Sequence, residues 1–231
     1  MRLVSALLLL MLTLPAMATA GAWPREHRSA FVSLSTNFST AARSLDGMLV
    51  DLRNVTSLYA EYGLTPKLTV GAEASKGSGD SEEGAVGLVF ARYPIWTSEG
   101  GHRFAAGFGI GLREETDFPT QWRFRPGLAW GYGFESRWGG GWLGVDASYE
   151  RRIPSNTYVI KADFTAGIRP RDRWMAIFQV QSSREDAGTI VKLAPSVVRE
   201  ISERTSLQLG ATAGVKGDDT LGVKLGVWFR F

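Results

Sequence analysis

The chain ends in a segment that alternates between apolar residues and small or polar ones. The apolar positions are Leu221, Val223, Leu225, Val227, Phe229 and Phe231. The positions between them are Gly222, Lys224, Gly226, Trp228 and Arg230. Successive side chains of a β-strand point to opposite faces, so one face of this strand is continuously apolar. Because a tilted strand of about ten residues crosses the hydrocarbon core of a bilayer, the alternation predicts a transmembrane strand.

The first twenty residues have the layout of a secretory signal peptide. Arg2 precedes a largely apolar run over Leu3–Leu14, and Ala18-Thr19-Ala20 offers a small-residue cleavage site. An uncleaved membrane anchor is the alternative, and it is disfavoured because the apolar run is too short to span a bilayer. We therefore expect cleavage after Ala20 and a mature chain over residues 21–231. No cysteine is present, so neither a lipid-modified cysteine nor a disulfide is expected.

The same alternation recurs along the chain and predicts about twelve strands. Three of these strands are less regular than the others. In residues 30–37, Phe31 is out of phase with the apolar residues that follow, and residues 85–93 are apolar on both faces. Residues 190–199 contain Pro195, which lacks a backbone N–H and indicates a bulge or a strained register.

Alternation alone does not separate a membrane barrel from a soluble β-sandwich, whose apolar faces turn inward. Long strands, a polar face that mixes glycine with full charges, and connections that alternate in length favour apolar faces turned outward to lipid. The 26 basic and 23 acidic residues are too evenly balanced for a nucleic-acid-binding surface. After the first twenty residues no apolar stretch is long enough for a transmembrane helix.

The C-terminal strand, with Phe229 and the terminal Phe231, resembles the assembly signal of bacterial outer-membrane β-barrels. The resemblance implies an all-β fold, a transmembrane antiparallel up-and-down β-barrel of about 12 strands with short periplasmic turns and longer extracellular loops. Counts of 10 or 14 strands stay open. It also implies location in the cell outer membrane, with outer-membrane lipid, lipopolysaccharide and the barrel assembly machinery as partners.

Placing Phe231 on the periplasmic side sets the expected position of every connection. Short turns are expected near 63–67, 94–101, 137–140, 169–173 and 202–205. The outer loops are expected near 38–49, 76–84, 113–121, 151–157, 183–188 and 216–220. Four tryptophans beside the short turns are expected to form an interfacial aromatic girdle: Trp96, Trp138, Trp142 and Trp174.

A looser similarity links the chain to the transporter-like barrels grouped with phenol meta-pathway outer-membrane proteins. It rests on the Trp23-Pro24 start, the hairpin sequence over residues 59–66 and the C-terminal Phe231. The resemblance implies a passive channel or transporter for small molecules, with hydrophobic or aromatic solutes among the candidates. The alternative from a different class is a structural or adhesive barrel without a pore.

The inward faces of two predicted strands are almost bare of side chains. Residues 105–111 and 127–133 place glycine or alanine at successive inward positions. One interpretation is a smooth path for a solute along this trough. The other is that the glycines make room for large side chains from elsewhere or permit the barrel to curve. The sequence leaves both open.

Charged residues of both signs are predicted on the inward face. The candidates for the lumen lining are Glu61, Glu73, Arg123, Arg125, Glu135, Lys161 and Asp163. Arg123 and Arg125, two residues apart on one face, are candidates for a constriction or an anion contact. Internal ion pairs that brace the wall are the favoured explanation, since buried charges need partners.

An enzymatic function is not expected. The outer-membrane lipid hydrolases that this chain would have to resemble need a histidine near the extracellular rim, whereas His27 and His102 are both predicted near the periplasmic ends of strands. The sequence contains neither a G-x-S-x-G nucleophile motif nor a metal-ligand cluster. No catalytic residue, metal or cofactor is therefore assigned, and a hydrolase is the least favoured of the alternatives.

Overall fold

A closed antiparallel sheet contains every strand of this chain that the structure describes. A computed structural model describes residues 21–41, 52–78, 84–115 and 118–231. The strands are β1 Ala30–Ala41, β2 Arg53–Gly63, β3 Thr69–Ser78, β4 Gly84–Thr97, β5 His102–Glu115, β6 Phe118–Ser136, β7 Gly139–Ile153, β8 Tyr158–Arg171, β9 Trp174–Glu185, β10 Gly188–Leu193, β11 Ser196–Glu200, β12 Thr205–Lys216 and β13 Thr220–Arg230. The predicted signal peptide and parts of the predicted outer loops near 38–49, 76–84 and 113–121 lie outside the described residues.

The first and last strands close the sheet. β1 and β13 pair over their whole length, from Phe31 opposite Arg230 to Ala41 opposite Thr220. The terminal residue takes part, because Phe231 and Ala30 exchange two backbone hydrogen bonds of 3.0 Å. Closure matters in lipid, where no water can satisfy the N–H and C=O groups of an open sheet edge.

Segments β10 and β11 are the two halves of one broken strand. Both pair with β9 on one side and with β12 on the other, so the barrel is twelve strands around. The break falls at Ala194-Pro195, where proline has no N–H to donate. The Ala194 N–H still reaches the Gln179 carbonyl at 2.9 Å, and the Pro195 carbonyl accepts from Ala211 at 2.9 Å. The twelve-strand barrel and the irregularity at Pro195 are thus confirmed.

Apolar side chains turn outward and their chain neighbours turn inward. Leu128 is 61% exposed, whereas the adjacent Ala129 is 6% exposed. Val89 is 58% exposed and the adjacent Leu88 is 3% exposed. This arrangement is the reverse of a soluble β-sandwich, and it gives the barrel an apolar outer surface suited to lipid.

We call the end of the barrel that carries Phe231 the turn end and the opposite end the loop end. The turn-end connections are 64–68, 98–101, 137–138, 172–173 and 201–204. Several strands run further toward the loop end than the sequence predicts, since Arg113 still pairs with Gln121 across a predicted loop. Polar residues can extend a ladder beyond the hydrocarbon layer because backbone pairing does not depend on apolar side chains. No helix of the described segments is long and apolar enough to cross a bilayer.

Three of the four tryptophans predicted to form the aromatic girdle lie in the expected position. Trp96, Trp138 and Trp174 lie at the turn end and are 40–60% exposed. The assignment of Trp142 is wrong, because its side chain is 2% exposed and belongs to an apolar cluster inside the barrel. Its position in the strand explains this: Trp142 shares the inward face with Asp146, which lies four residues further along β7.

The two faces of β2 give a direct test of this packing. Replacing the outward Leu58 near the middle of the strand with Arg should cost about 2–4 kcal/mol of folding free energy, the range for a basic side chain facing lipid at the bilayer midplane. The same replacement at the neighbouring inward Ser57 should cost less than half as much, since that face borders a polar cavity. Urea unfolding in lipid vesicles measures the folding free energy of both variants. Equal losses of folding free energy would contradict the assignment of Leu58 to the lipid-facing side and Ser57 to the inner side.

Candidate functional site

The residues that precede β1 enter the interior of the barrel, which makes the lumen the candidate functional site. We call residues 21–29 the N-terminal segment. At the turn end the Arg28 N–H donates to the Gly63 carbonyl at 2.8 Å. Further inside, the Arg25 N–H donates to Thr69 Oγ1 at 2.9 Å. Ala22 is fully buried, so the segment fills part of the inner space.

The bare inward faces of β5 and β6 receive this segment. Ala22 packs in a cluster with Ala105 and Ala129, and Trp23 packs against the same cluster. Gly131 faces the Trp23 indole so closely that a Cβ at this position would collide with the ring. The trough that the sequence revealed is therefore occupied, in its turn-end half, by the chain's own N-terminal residues. Towards the loop end Gly107 and Gly127 border open space, so both interpretations of the glycines apply, each to a different part of the trough.

An apolar cluster lies beside the segment at the turn end of the lumen. Its buried members are Phe31, Trp142, Met175, Ile177, Val198 and Trp228, with Trp23 and Tyr59 packed against them. Phe31 and Trp228 meet edge to face, with ring centroids 5.6 Å apart. Phe31 is out of phase with the outward apolar residues of β1 because its side chain points inward and completes this cluster. The cluster and the segment together narrow the turn-end half of the barrel.

The Glu61 carboxylate ties the N-terminal segment to the wall. Glu61 Oε2 accepts from Arg25 Nε at 2.6 Å, and Oε1 accepts from Arg92 Nη1 at 2.9 Å and from the Tyr59 hydroxyl at 2.5 Å. The Glu61 side chain is 3% exposed. Two guanidinium groups therefore neutralise a carboxylate that would be costly to bury alone. Arg25 belongs to the segment and Arg92 to β4, so one acid links the two.

Arg123 takes part in a wall contact near the loop end. Its guanidinium pairs with the fully buried Glu150. Arg152 Nε lies 3.1 Å from Glu150 Oε1, and Arg152 Nη2 lies 3.4 Å from Glu185 Oε1. This chain of ion pairs joins β6, β7 and β9 and braces the wall. Arg123 borders neither of the two inner cavities described next.

Arg125 instead reaches across the lumen. It pairs with Glu73 of β3, and two strands, β4 and β5, lie between the two residues in the sheet. A bond between strands that are not neighbours must pass through the inner space. The Arg125–Glu73 pair thus reduces the cross-section of the lumen from one side. Lys161 and Asp163, on the inward face of β8, border the same space.

Two cavities share this central region. The inner one has a volume of about 350 Å³ and extends to Arg92, Asp146 and the glycine faces of β5 and β6. The outer one has a volume of about 540 Å³ and lies toward the loop end. Four residues border both cavities: Tyr59, Glu73, Lys161 and Asp163. We call this group the eyelet, since any solute that moves between the cavities must pass it.

A third cavity, of about 600 Å³, lies at the turn end. Glu135, the remaining predicted lining residue, borders it together with Trp142, Arg169 and Glu200. It shares no lining residue with the inner or outer cavity. The structure thus places the predicted lining residues in four settings: Glu61 in the segment's anchor, Arg123 in the wall brace, Glu135 at the turn-end mouth, and Glu73, Arg125, Lys161 and Asp163 at or beside the eyelet.

Both histidines lie at the turn end. His27 forms a backbone bridge with Gly63. The His102 ring stacks on Tyr132 with centroids 4.6 Å apart, and its Nδ1 accepts from Trp130 Nε1 at 3.3 Å. Stacking among aromatic rings beside the girdle gives His102 a packing role. Within the described ranges no group of three acidic, histidine or cysteine side chains is arranged to hold a metal ion.

Comparison with solved structures places the fold. No protein-family model matches the sequence, and no curated protein matches it. The chain is similar to the COG4313 outer membrane channel from Pseudomonas putida F1, with 12% identity and a TM-score of 0.64 over 92% of this chain and 99% of that one. It is similar to the KdgM porin in complex with disordered oligogalacturonate, with 7% identity and a TM-score of 0.61 over 87% and 99%. It is also similar to the NanC porin, with 11% identity and a TM-score of 0.61 over 86% of this chain and 98% of that one.

At these identities the likeness establishes the fold alone. It confirms the prediction that the chain has the twelve-strand architecture of outer-membrane barrels. The three solved structures named above are one outer-membrane channel and two porins. The residues that would set selectivity are not fixed by this likeness, because so few side chains are shared.

The anchor at Glu61 and the pair at Glu73 differ in burial, which predicts different costs of removal. Glu61→Gln leaves two buried guanidinium groups without their carboxylate, and breaking a buried pair in this way costs about 3–5 kcal/mol. Glu73→Gln should cost about 1 kcal/mol or less, because its side chain is 28% exposed and water can solvate the released Arg125. Urea unfolding of both variants in vesicles gives the comparison, and a larger loss for Glu73→Gln would contradict it.

Proposed function

We propose that this protein is a passive channel in the outer membrane of a Gram-negative bacterium and that it conducts small hydrophilic solutes. The observation that carries the proposal is the pair of cavities, about 350 and 540 Å³, that meet at the charged eyelet inside a barrel with an apolar exterior. Export with cleavage after Ala20, delivery by the barrel assembly machinery and contact with lipopolysaccharide belong to the same proposal.

The lining of the outer cavity supports a hydrophilic solute. It is rich in hydroxyl, amide and charged groups: Ser57, Ser75, Lys161, Asp163, Gln181, Ser182, Ser183 and Lys192. Such groups exchange hydrogen bonds with a passing solute in place of its hydration water. Cavities of this size are in the range that holds small-molecule ligands, about 300–1,000 Å³. Hydroxylated compounds, with or without a charge, fit both the size and the chemistry.

One feature favours solutes that also carry a ring. Tyr59 of the eyelet stacks on Phe90, with centroids 5.7 Å apart and planes inclined by 26°. Both side chains border the inner cavity, where they offer a flat surface to a sugar or an aromatic ring. Aromatic acids are therefore the second solute class to test, in keeping with the resemblance to meta-pathway barrels. A purely hydrophobic solute fits the outer cavity less well.

Two other functions make different predictions. A structural or adhesive barrel would fold and insert without conducting ions. A lipid hydrolase would lose its activity when His27 and His102 are replaced together, although both side chains lie at the turn end, away from the outer leaflet in this orientation.

Planar-bilayer recording tests the channel directly. Purified mature protein should give discrete current steps, small because the N-terminal segment and the eyelet narrow the lumen. Liposome swelling with a series of sugars and aromatic acids then ranks the solutes. A folded, heat-modifiable protein that gives neither current nor swelling would refute the channel and leave the structural barrel.

Charge at the eyelet should set ion selectivity. Glu73→Gln removes one negative charge and frees Arg125, so the permeability ratio of chloride to potassium should rise about two- to fivefold, equivalent to 0.4–1 kcal/mol at a partly solvated site. The matched control is Glu203→Gln, which removes the same charge at an exposed turn. Reversal potentials in a salt gradient measure the ratio, and equal shifts in both variants would place the eyelet outside the ion path.

A further inference from the structure

The inner end of the N-terminal segment lies against an acidic site in the middle of the lumen. Gly21 packs directly on the Asp146 carboxylate, so closely that a Cβ on Gly21 would collide with Asp146 Oδ1. The Asp146 carboxylate also accepts a hydrogen bond from the Gly21 backbone N–H. The first residue of the predicted mature chain therefore presents its own nitrogen atom to a carboxylate.

Two acids of the lumen wall lie side by side near Gly21. Asp146 of β7 stands directly opposite Asp163 of β8, an arrangement of like charges that destabilises a sheet. None of the ion pairs found within the described segments includes Asp146 or Asp163. The Arg92 guanidinium also lies beside Gly21, and its Nη1 pairs with Glu61 at 2.9 Å. Among the described residues, Asp146 therefore lacks a cation that pairs with it directly.

We propose that cleavage after Ala20 supplies this charge, and that the resulting ammonium group of Gly21 pairs with Asp146 and latches the N-terminal segment inside the lumen. Hydrolysis of the Ala20–Gly21 peptide bond by a signal peptidase consumes one water molecule. It leaves a carboxylate on Ala20 and a protonated amine on Gly21. The single N–H that now faces Asp146 becomes a charged group with three donors, and hydrogen bonds between charged groups are roughly twice as strong as neutral ones.

The latch would make the segment a built-in closure of the channel, whose strength depends on processing. Its inner end would be held by the new amine at Asp146, its middle by Arg25 at Glu61, and its outer end by the backbone bond from Arg28 to Gly63. A side chain at position 21 would have to displace the Asp146 carboxylate. The inference uses the lumen of the proposed channel, but the position of the segment can be measured without any conductance.

Amine reactivity tests the latch in the intact mature protein. The protein is purified from outer membranes, its N-terminal residue is determined by mass spectrometry, and the folded barrel in detergent is treated with an amine-acylating reagent near neutral pH. We expect Gly21 as the first residue and acylation of its amine at least about tenfold slower than in the heat-unfolded protein. A different first residue, or equal rates in folded and unfolded protein, would overturn the proposal.

Two matched variants separate an ion pair from simple burial. Asp146→Asn should raise the acylation rate at least about fivefold, whereas Asp163→Asn, its cross-strand partner, should leave the amine protected. Equal rates in the two variants would overturn the role of Asp146. If Asp146→Asn fails to fold, Asp146→Glu is the second variant, and it should keep the amine protected because it retains the charge. Its matched control is Asp163→Glu. Loss of protection in a folded Asp146→Glu barrel, with Asp163→Glu protected as in the unaltered protein, would count against the latch.

A disulfide provides a second, independent measurement. The chain has no cysteine, so Ala22→Cys combined with Ala129→Cys creates a single pair at two residues of the same cluster. Oxidation should join them rapidly in the folded protein, and failure to form the bond would show that the segment lies elsewhere. If the bond forms and the amine is protected while bilayers show no current, the latch stands and the channel proposal fails. If bilayers show current and the amine is unprotected, the channel proposal stands and the latch fails.

Discussion

Satisfaction of backbone hydrogen bonds in a medium without water is the constraint on which this structure depends. A strand that crosses lipid must pair on both sides, so the sheet has to close on itself. Closure places the last strand beside the first, and it is why the terminal Phe231 and Ala30 exchange hydrogen bonds rather than fray. The broken strand obeys the same rule, because the Ala194 N–H and the Pro195 carbonyl both keep partners across the break. The proline nitrogen has no hydrogen to contribute to the ladder.

Closure also inverts the usual distribution of charge. With the apolar faces in lipid, charged residues at the depth of the hydrocarbon layer must lie inside, where water is limited. The structure meets this demand with ion pairs that join strands which are not neighbours, such as Arg125 with Glu73 and Arg92 with Glu61. Because these pairs cross the inner space, the interactions that neutralise the wall also narrow the path. The stability of the wall and the width of the lumen therefore depend on the same side chains.

The alternation of the sequence predicts the barrel, a strand number of about twelve and the direction in which most side chains point. Proximity to a turn does not predict the direction of Trp142, whereas the phase of its strand places this ring inside. The irregular phase of Phe31 had the same cause, since its side chain joins the inner cluster. Large apolar residues on the inward face, such as Phe31 and Trp142, are therefore those that pack the lumen.

The N-terminal segment was not predicted, because nothing in residues 21–29 has a strand or helix period. The sequence signal for it lies elsewhere in the chain, in the small inward residues over 105–111 and 127–133 that leave room for Ala22 and Trp23. Sequence periodicity reports on elements that pair along a sheet, whereas this segment is held by a few backbone bonds and by side-chain contacts. Contacts between distant parts of a chain, such as Arg25 with Glu61, leave no local pattern.

This difference in bonding gives the segment a different kind of stability from the barrel. The strands are joined by continuous ladders, and none of them can leave without exposing its backbone to lipid. The segment instead depends on a few hydrogen bonds of its backbone, at Arg25, Arg28 and Ser29, together with the ion pair at Glu61 and a small apolar contact. Regions with few backbone bonds open at a lower free energy than the fold as a whole. Water can also solvate the segment when it leaves the lumen at the turn end. Release of the segment while the barrel stays closed therefore costs less free energy than opening of the barrel, and it would widen the turn-end half of the lumen.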